Sequence, residues 1–116
     1  MADIPETHAT LNSTKGFLNF NLADNTKDDR LKDVVAKGSA WLVLQLGFDP
    51  TPTAQTQLVA SQYAAGLWEQ ANAQDKTKET QNMIEAKTNL EELRRLLSVR
   101  TFPSTKYADE IDPVDV

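Results

Sequence analysis

The stretch from Thr26 to Gly47, TKDDRLKDVVAKGSAWLVLQLG, constrains the fold more than any other part of the chain. Its apolar residues recur at Leu31, Val34, Val35, Gly38, Trp41, Leu42 and Leu46, the three-and-four spacing of one α-helical face. Thr26-Lys27-Asp28-Asp29 places a carboxylate three residues after a hydroxyl, a pairing that can satisfy two orphan backbone donors, so the helix is expected to start there. Gly47 offers a left-handed cap and marks its end. Ala40, Val43 and Leu44 widen the stripe over the last two turns until it covers most of the circumference. A helix buried on more than one side in so short a chain predicts a second partner surface, and Trp41, Val43 and Leu44 are its candidate residues.

A chain of 116 residues is expected to form one domain with a core that needs no staples. It has no run of about 18 apolar residues, so no membrane span is expected. Met1-Ala2-Asp3-Ile4-Pro5-Glu6 lacks the basic-then-apolar order of a signal peptide, which predicts a soluble, unexported protein. Zero cysteines exclude a disulfide scaffold, a thiolate zinc site and a cysteine nucleophile together. A net charge of -5 and a pI near 4.7 disfavour tight binding to phosphate backbones, which requires clustered Lys and Arg.

The chain divides into a flexible or docked arm over 1–9, a helical domain over 10–100 and an acidic extended tail over 101–116. Leu11, Phe17, Leu18 and Leu22 predict a short leading helix entered through Thr10 or Ser13 and broken by Asn19 to Asn25. After Gly47, Thr51-Pro52 predicts the start of the next helix, because proline suits the first helical position. That helix continues through Leu58, Ser61, Ala64, Ala65, Leu67, Trp68 and Ala71, and a short connection makes it an antiparallel neighbour of the first, with Trp41 and Trp68 in one core. Residues 72–82 read as a polar linker. Met83, Ala86, Leu90, Leu93 and Leu97, widened by Ile84 and Leu96, predict a third long helix. The fold expected is an all-α bundle of three main helices with a short N-terminal helix and an extended C-terminal tail.

The search for chemistry returns negatives. His8, the single histidine, falls in the polar arm with no neighbouring carboxylate or nucleophile and is expected to be exposed and inert. Asp28 and Asp29 are explained by the helix dipole more simply than by a metal, which needs further oxygen ligands nearby. No GxGxxG, Walker loop, HExxH or GxSxG occurs, so neither an enzyme nor a cofactor is expected. Arg94, Arg95 and Arg100 have two readings: a contact with an acidic partner surface such as a neighbouring copy's tail, or a solvated face balanced by Glu91 and Glu92. The tail itself places apolar beads at Phe102, Tyr107, Ile111, Val114 and Val116 among Asp109, Glu110, Asp112 and Asp115.

Leu11-Asn12-Ser13-Thr14-Lys15-Gly16-Phe17-Leu18, then Asp28-Asp29-Arg30-Leu31, then Gly38-Ser39-Ala40-Trp41-Leu42 ending in Leu46-Gly47, resembles the head-to-tail connector (adaptor) proteins of tailed bacteriophages. Leu58 through Tyr63-Ala64-Ala65-Gly66-Leu67-Trp68 is similar to that family's second helix, with Glu69-Gln70 where an Arg-Glu pair is often found. The resemblance implies a structural virion protein made in the host cytoplasm and placed in the neck. It implies a ring of commonly about twelve copies between the portal protein and a tail or stopper protein. Viral DNA would pass through without specific binding. On this reading the interface residues are Trp41, Val43, Leu44, Arg94, Arg95, Arg100, Phe102, Tyr107, Ile111 and Val114. The alternative is an intracellular helical module or small regulator that docks on one partner protein; a helix-turn-helix reading would require a basic recognition helix, and Glu91 and Glu92 interrupt the best candidate.

Overall fold

The computed structural model describes residues 8–101, with side chains through Ser98. Four helices follow in order: α1 Leu11–Leu18, α2 Asp28–Leu46, α3 Ala54–Ala71 and α4 Gln81–Thr101. Among the described residues there is no strand, and the fold is the small all-α bundle that the periodicity predicts.

The short leading helix is entered through Thr10, whose hydroxyl accepts the Ser13 N–H at 3.2 Å. Asn19, at φ 60, ends it in the left-handed region that asparagine tolerates. The expected capping box at the start of α2 does not form. The Thr26 hydroxyl turns back and donates to Asp24 Oδ1 at 2.7 Å, and the same oxygen accepts the Thr26 N–H at 2.9 Å. These two donors, the backbone one first, hold the Asp24 carboxyl below its ordinary pKa. The hydroxyl is thus committed to a local turn, and α2 starts at Asp28 with no side-chain cap. Asp28 and Asp29 do occupy its first turn, and Gly47 closes it at φ 81.

The third helix starts two residues later than the proline suggested. Thr53 Oγ1 accepts the Thr56 N–H at 3.2 Å while Thr56 Oγ1 accepts the Thr53 N–H at 2.9 Å. This reciprocal box satisfies two donors where proline at the first position would satisfy none, so Pro52 falls outside the helix.

The centre of the bundle is α3 rather than α2. It packs against α1, α2 and α4, antiparallel to its two long neighbours, with Arg30 against Trp68 and Gly38 against Ala60 on one side and Gly66 against Met83 and Gln62 against Asn89 on the other. Its buried residues, Thr56, Val59 to Gln62 and Ala64 to Gly66, run around most of its circumference, as expected of a helix enclosed on three sides. Small side chains bring the neighbours close. A Cβ at Gly38 would meet the Ala60 carbonyl oxygen at 2.6 Å, and one at Gly66 would meet the Met83 nitrogen at 2.8 Å. Leu31, Val35, Leu42, Val59, Leu90 and Leu93 fill the core around these contacts.

Residues 8–10 strap across α2 and α3. The Ala9 N–H donates to Ser39 Oγ and the Thr10 N–H to Ser61 Oγ, both at 3.0 Å. Ala9 and Ser61 are fully buried, so each serine satisfies a backbone donor that water reaches poorly. Ser39→Ala and Ser61→Ala are each expected to lower unfolding free energy by about 1–3 kcal/mol, the cost of a buried donor left unpaired. Urea titration reads this as a lower midpoint at unchanged slope.

Candidate interaction surface

The three candidate residues on α2 face three ways. Trp41 lies inward, its ring stacked on Tyr63 with centroids 3.9 Å apart and planes 3° from parallel. Val43, two residues on, points about 160° away around the helix and is half-buried. Leu44 stands out into solvent, 77% exposed. Trp68 packs at a different point of the same core: its ring meets Phe20 edge-on at 5.9 Å, with the Arg30 guanidinium 5.1 Å from its centroid. Of the two tryptophans, neither is an exposed anchor.

The arginines also separate. Arg94 donates through Nη2 to the Gln45 carbonyl at 2.8 Å and through Nη1 to Glu91. The last turn of α2 contains no basic residue of its own, so Arg94 supplies from α4 both a donor and a positive charge at the negative end of the α2 dipole. Arg95 pairs with Glu92 on the exposed side of α4. The Arg100 side chain and Phe102, Tyr107, Ile111 and Val114 lie outside the described residues.

His8 is a correction. It is 1% exposed, and its Nε2 lies 2.7 Å from Asp49 Oδ1 on the α2–α3 turn. The carboxylate that meets His8 arrives from 41 residues away, a separation at which periodicity gives no signal. Nδ1 of the same ring is buried without a hydrogen-bond partner, and Asp49 itself is 65% exposed. The pair ties the strap to the turn.

No family model, curated protein or solved structure matches this chain.

A recess of about 220 Å³ opens between α2 and α3, lined by Asp33, Val34, Lys37, Leu67, Gln70, Ala71 and Lys76. Its charges are locally engaged: Lys37 pairs with Asp33 at 3.0 Å, and the Lys76 ammonium donates to the Ala73 carbonyl at 3.3 Å. Among the described residues no group of three or more His, Cys, Asp and Glu is placed to hold a metal ion, and no helix is long and apolar enough to cross a membrane. What the surface does present is apolar: Leu44 at 77% exposure and, after the α2 cap, Phe48 at 48%. Phe48 is the surface residue that the sequence reading passed over, because it follows the glycine at which the helical pattern stops.

Charge is placed unevenly along the chain. Of the 12 Lys and Arg only Lys106 lies outside residues 8–101, whereas six of the 17 Asp and Glu do: Asp3, Glu6, Asp109, Glu110, Asp112 and Asp115. With His8 neutral, residues 8–101 therefore sum to zero, and the whole net charge of -5 belongs to the flanking segments.

Proposed function

We propose that this chain is a structural virion protein, a head-to-tail connector that forms a ring between portal and tail through which viral DNA passes. The reading rests on the resemblance over roughly residues 10 to 70, and the observation that carries it furthest is the uncovered apolar pair at the end of α2. Leu44 and Phe48 are left in solvent by the chain's own fold, at the end of the helix whose excess apolar surface predicted a subunit or partner contact. The all-helical architecture agrees with the family's small helical body. An electroneutral helical body also suits a channel wall, because it offers moving DNA no excess of cations to bind phosphate and release counterions. The chain has no catalytic role in this reading and takes no cofactor.

Quantitative mass spectrometry of particles purified from the source tests it by comparing this chain's copy number with that of the portal protein. A ratio near one, or a small multiple, is the expected result. Absence of the chain from intact particles overturns the connector reading and leaves an intracellular module that docks on a single partner.

A further inference from the structure

Residues 8–10 lie in the seam between α2 and α3, with Thr10 extended at φ -124 and ψ 157. The Ala9 N–H donates to Ser39 Oγ and the Thr10 N–H to Ser61 Oγ, each at 3.0 Å. Any residue but proline carries such a donor, so these two bonds select for extended main chain and not for a side chain. Selection falls on two other features. The Ala9 methyl is fully buried, in one core cluster with Val35, Leu42 and Ala60, an enclosure that a large side chain would overfill. Asp49 Oδ1 stands 2.7 Å from His8 Nε2 and can only accept when ionised, so a donor, and above all a cation, is favoured at that position. The resident imidazole answers the seat imperfectly. Its Nδ1 is buried without a hydrogen-bond partner, a loss that an occupant lacking this atom does not suffer.

We infer that the seam under residues 8–10 is a binding seat for a short extended segment of a different protein, one with lysine or arginine where this chain has His8 and alanine, glycine or serine where it has Ala9. Residues 8–10 are the resident competitor, an autoinhibitory contact that the incoming segment displaces. The two serine hydroxyls accept its consecutive backbone N–H groups as they accept those of Ala9 and Thr10. Its small side chain takes the place of the Ala9 methyl. Its cation pairs with Asp49, and because that carboxylate is 65% exposed the remaining donors of a lysine or arginine reach water. The resident segment can leave as a local unit, since the core around Leu31, Leu42, Val59, Leu90 and Leu93 is built by α2, α3 and α4. A second copy is the poorer occupant. It offers the same segment with the same orphaned nitrogen, and it competes against one held in place at high effective concentration.

The test titrates unlabelled peptides into the isotope-labelled full-length chain and follows the backbone amide resonances of Ser39, Asp49 and Ser61. The probe peptide spans residues 6–12 with His8→Lys; a second keeps His8, and a third carries Ala9→Asp. The receiving chain carries Ala9→Asp, which puts a carboxylate where the resident methyl is buried and so empties the seat without altering Ser39, Ser61 or Asp49. Thr10→Pro, which removes the resident donor to Ser61, takes its place if that chain does not fold. The lysine peptide is expected to shift all three resonances and to bind about fivefold more tightly than the histidine peptide, the upper end for an ion pair with an exposed partner. The Ala9→Asp peptide is expected to shift none. Toward the parent chain the lysine peptide should bind weaker by about tenfold or more, because the closed strap reduces the competent fraction. Unmoved Ser39 and Ser61 resonances, equal affinity of the lysine and histidine peptides, or equal affinity for the parent and opened chains each overturns the inference. The connector reading stands or falls separately, on copy number in particles.

Discussion

Gly38→Val is expected to lower unfolding free energy by about 3 kcal/mol, the upper end for side chains forced into a packed core. A Cβ at this position would lie 2.6 Å from the Ala60 carbonyl oxygen and 2.9 Å from the Ala64 Cβ. Neither neighbour can rotate away, because one is backbone and the other is the first atom of its side chain. The α2 and α3 axes must separate instead, and the surrounding contacts of Val35, Leu42 and Val59 loosen with them. For a domain of this size the midpoint of thermal unfolding should fall on the order of 15 °C. Gly16→Ala supplies the opposite sign. Gly16 is exposed in α1, and its added methyl would have nothing within 4 Å, so the reduced freedom of the unfolded chain should stabilise by about 0.4–1 kcal/mol. Equal unfolding midpoints for Gly38→Val and the parent chain would mean that the two helices do not approach so closely.

The contrast between those glycines shows what local pattern can and cannot reveal. The helices α2 and α4 were legible because each buries one stripe: Leu31, Val34, Val35 and Leu42 in the first, Met83, Ala86, Leu90 and Leu93 in the second. The central place of α3 was not legible, because spacing marks Leu58 to Ala71 as a helix but small buried residues do not say how many helices pack around it. Its start was misplaced for a local reason: Pro52 is compatible with a helix start, but the Thr53–Thr56 exchange satisfies more donors. Long-range pairings left no local trace at all. Nothing in the spacing of Ser39 and Ser61 shows that they anchor the strap; Arg94 reads as a partner contact or a solvated face, yet it bonds to the end of α2 from 49 residues away. On the candidate surface Leu44, from the wide part of the α2 stripe, is exposed, while Trp41 from the same stripe stacks on Tyr63 within the fold.

Lys15→Met tests the feature of the fold most at odds with its sequence appearance, a lysine on a short polar helix that is only 2% exposed. Its ammonium lies 2.8 Å from the Asp24 carbonyl, 3.4 Å from the Leu22 carbonyl and 2.8 Å from Asp28 Oδ1. The two carbonyls accept hydrogen bonds from the ammonium and the Asp28 carboxylate faces it as an ion pair, so the α1–α2 loop is wrapped over the ammonium rather than over an apolar residue. Methionine keeps most of the stem but removes the charge, leaving two carbonyls and a carboxylate that is 24% exposed without their donor. Breaking a buried pair from one side costs about 3–5 kcal/mol, and access of water to Asp28 puts the expected loss near the lower figure. Lys37→Met is the matched comparison, since Lys37 also pairs with an aspartate, at 3.0 Å, but is 64% exposed; its loss should not exceed about 1 kcal/mol. Hydrogen exchange should localise the effect, with faster exchange at the Asp24 and Thr26 amides in Lys15→Met and unchanged exchange there in Lys37→Met. If the two variants unfold alike, the ammonium is not what holds the loop, and the ordered approach to α2 must come from the Asp24–Thr26 turn and the Phe20–Trp68 contact instead.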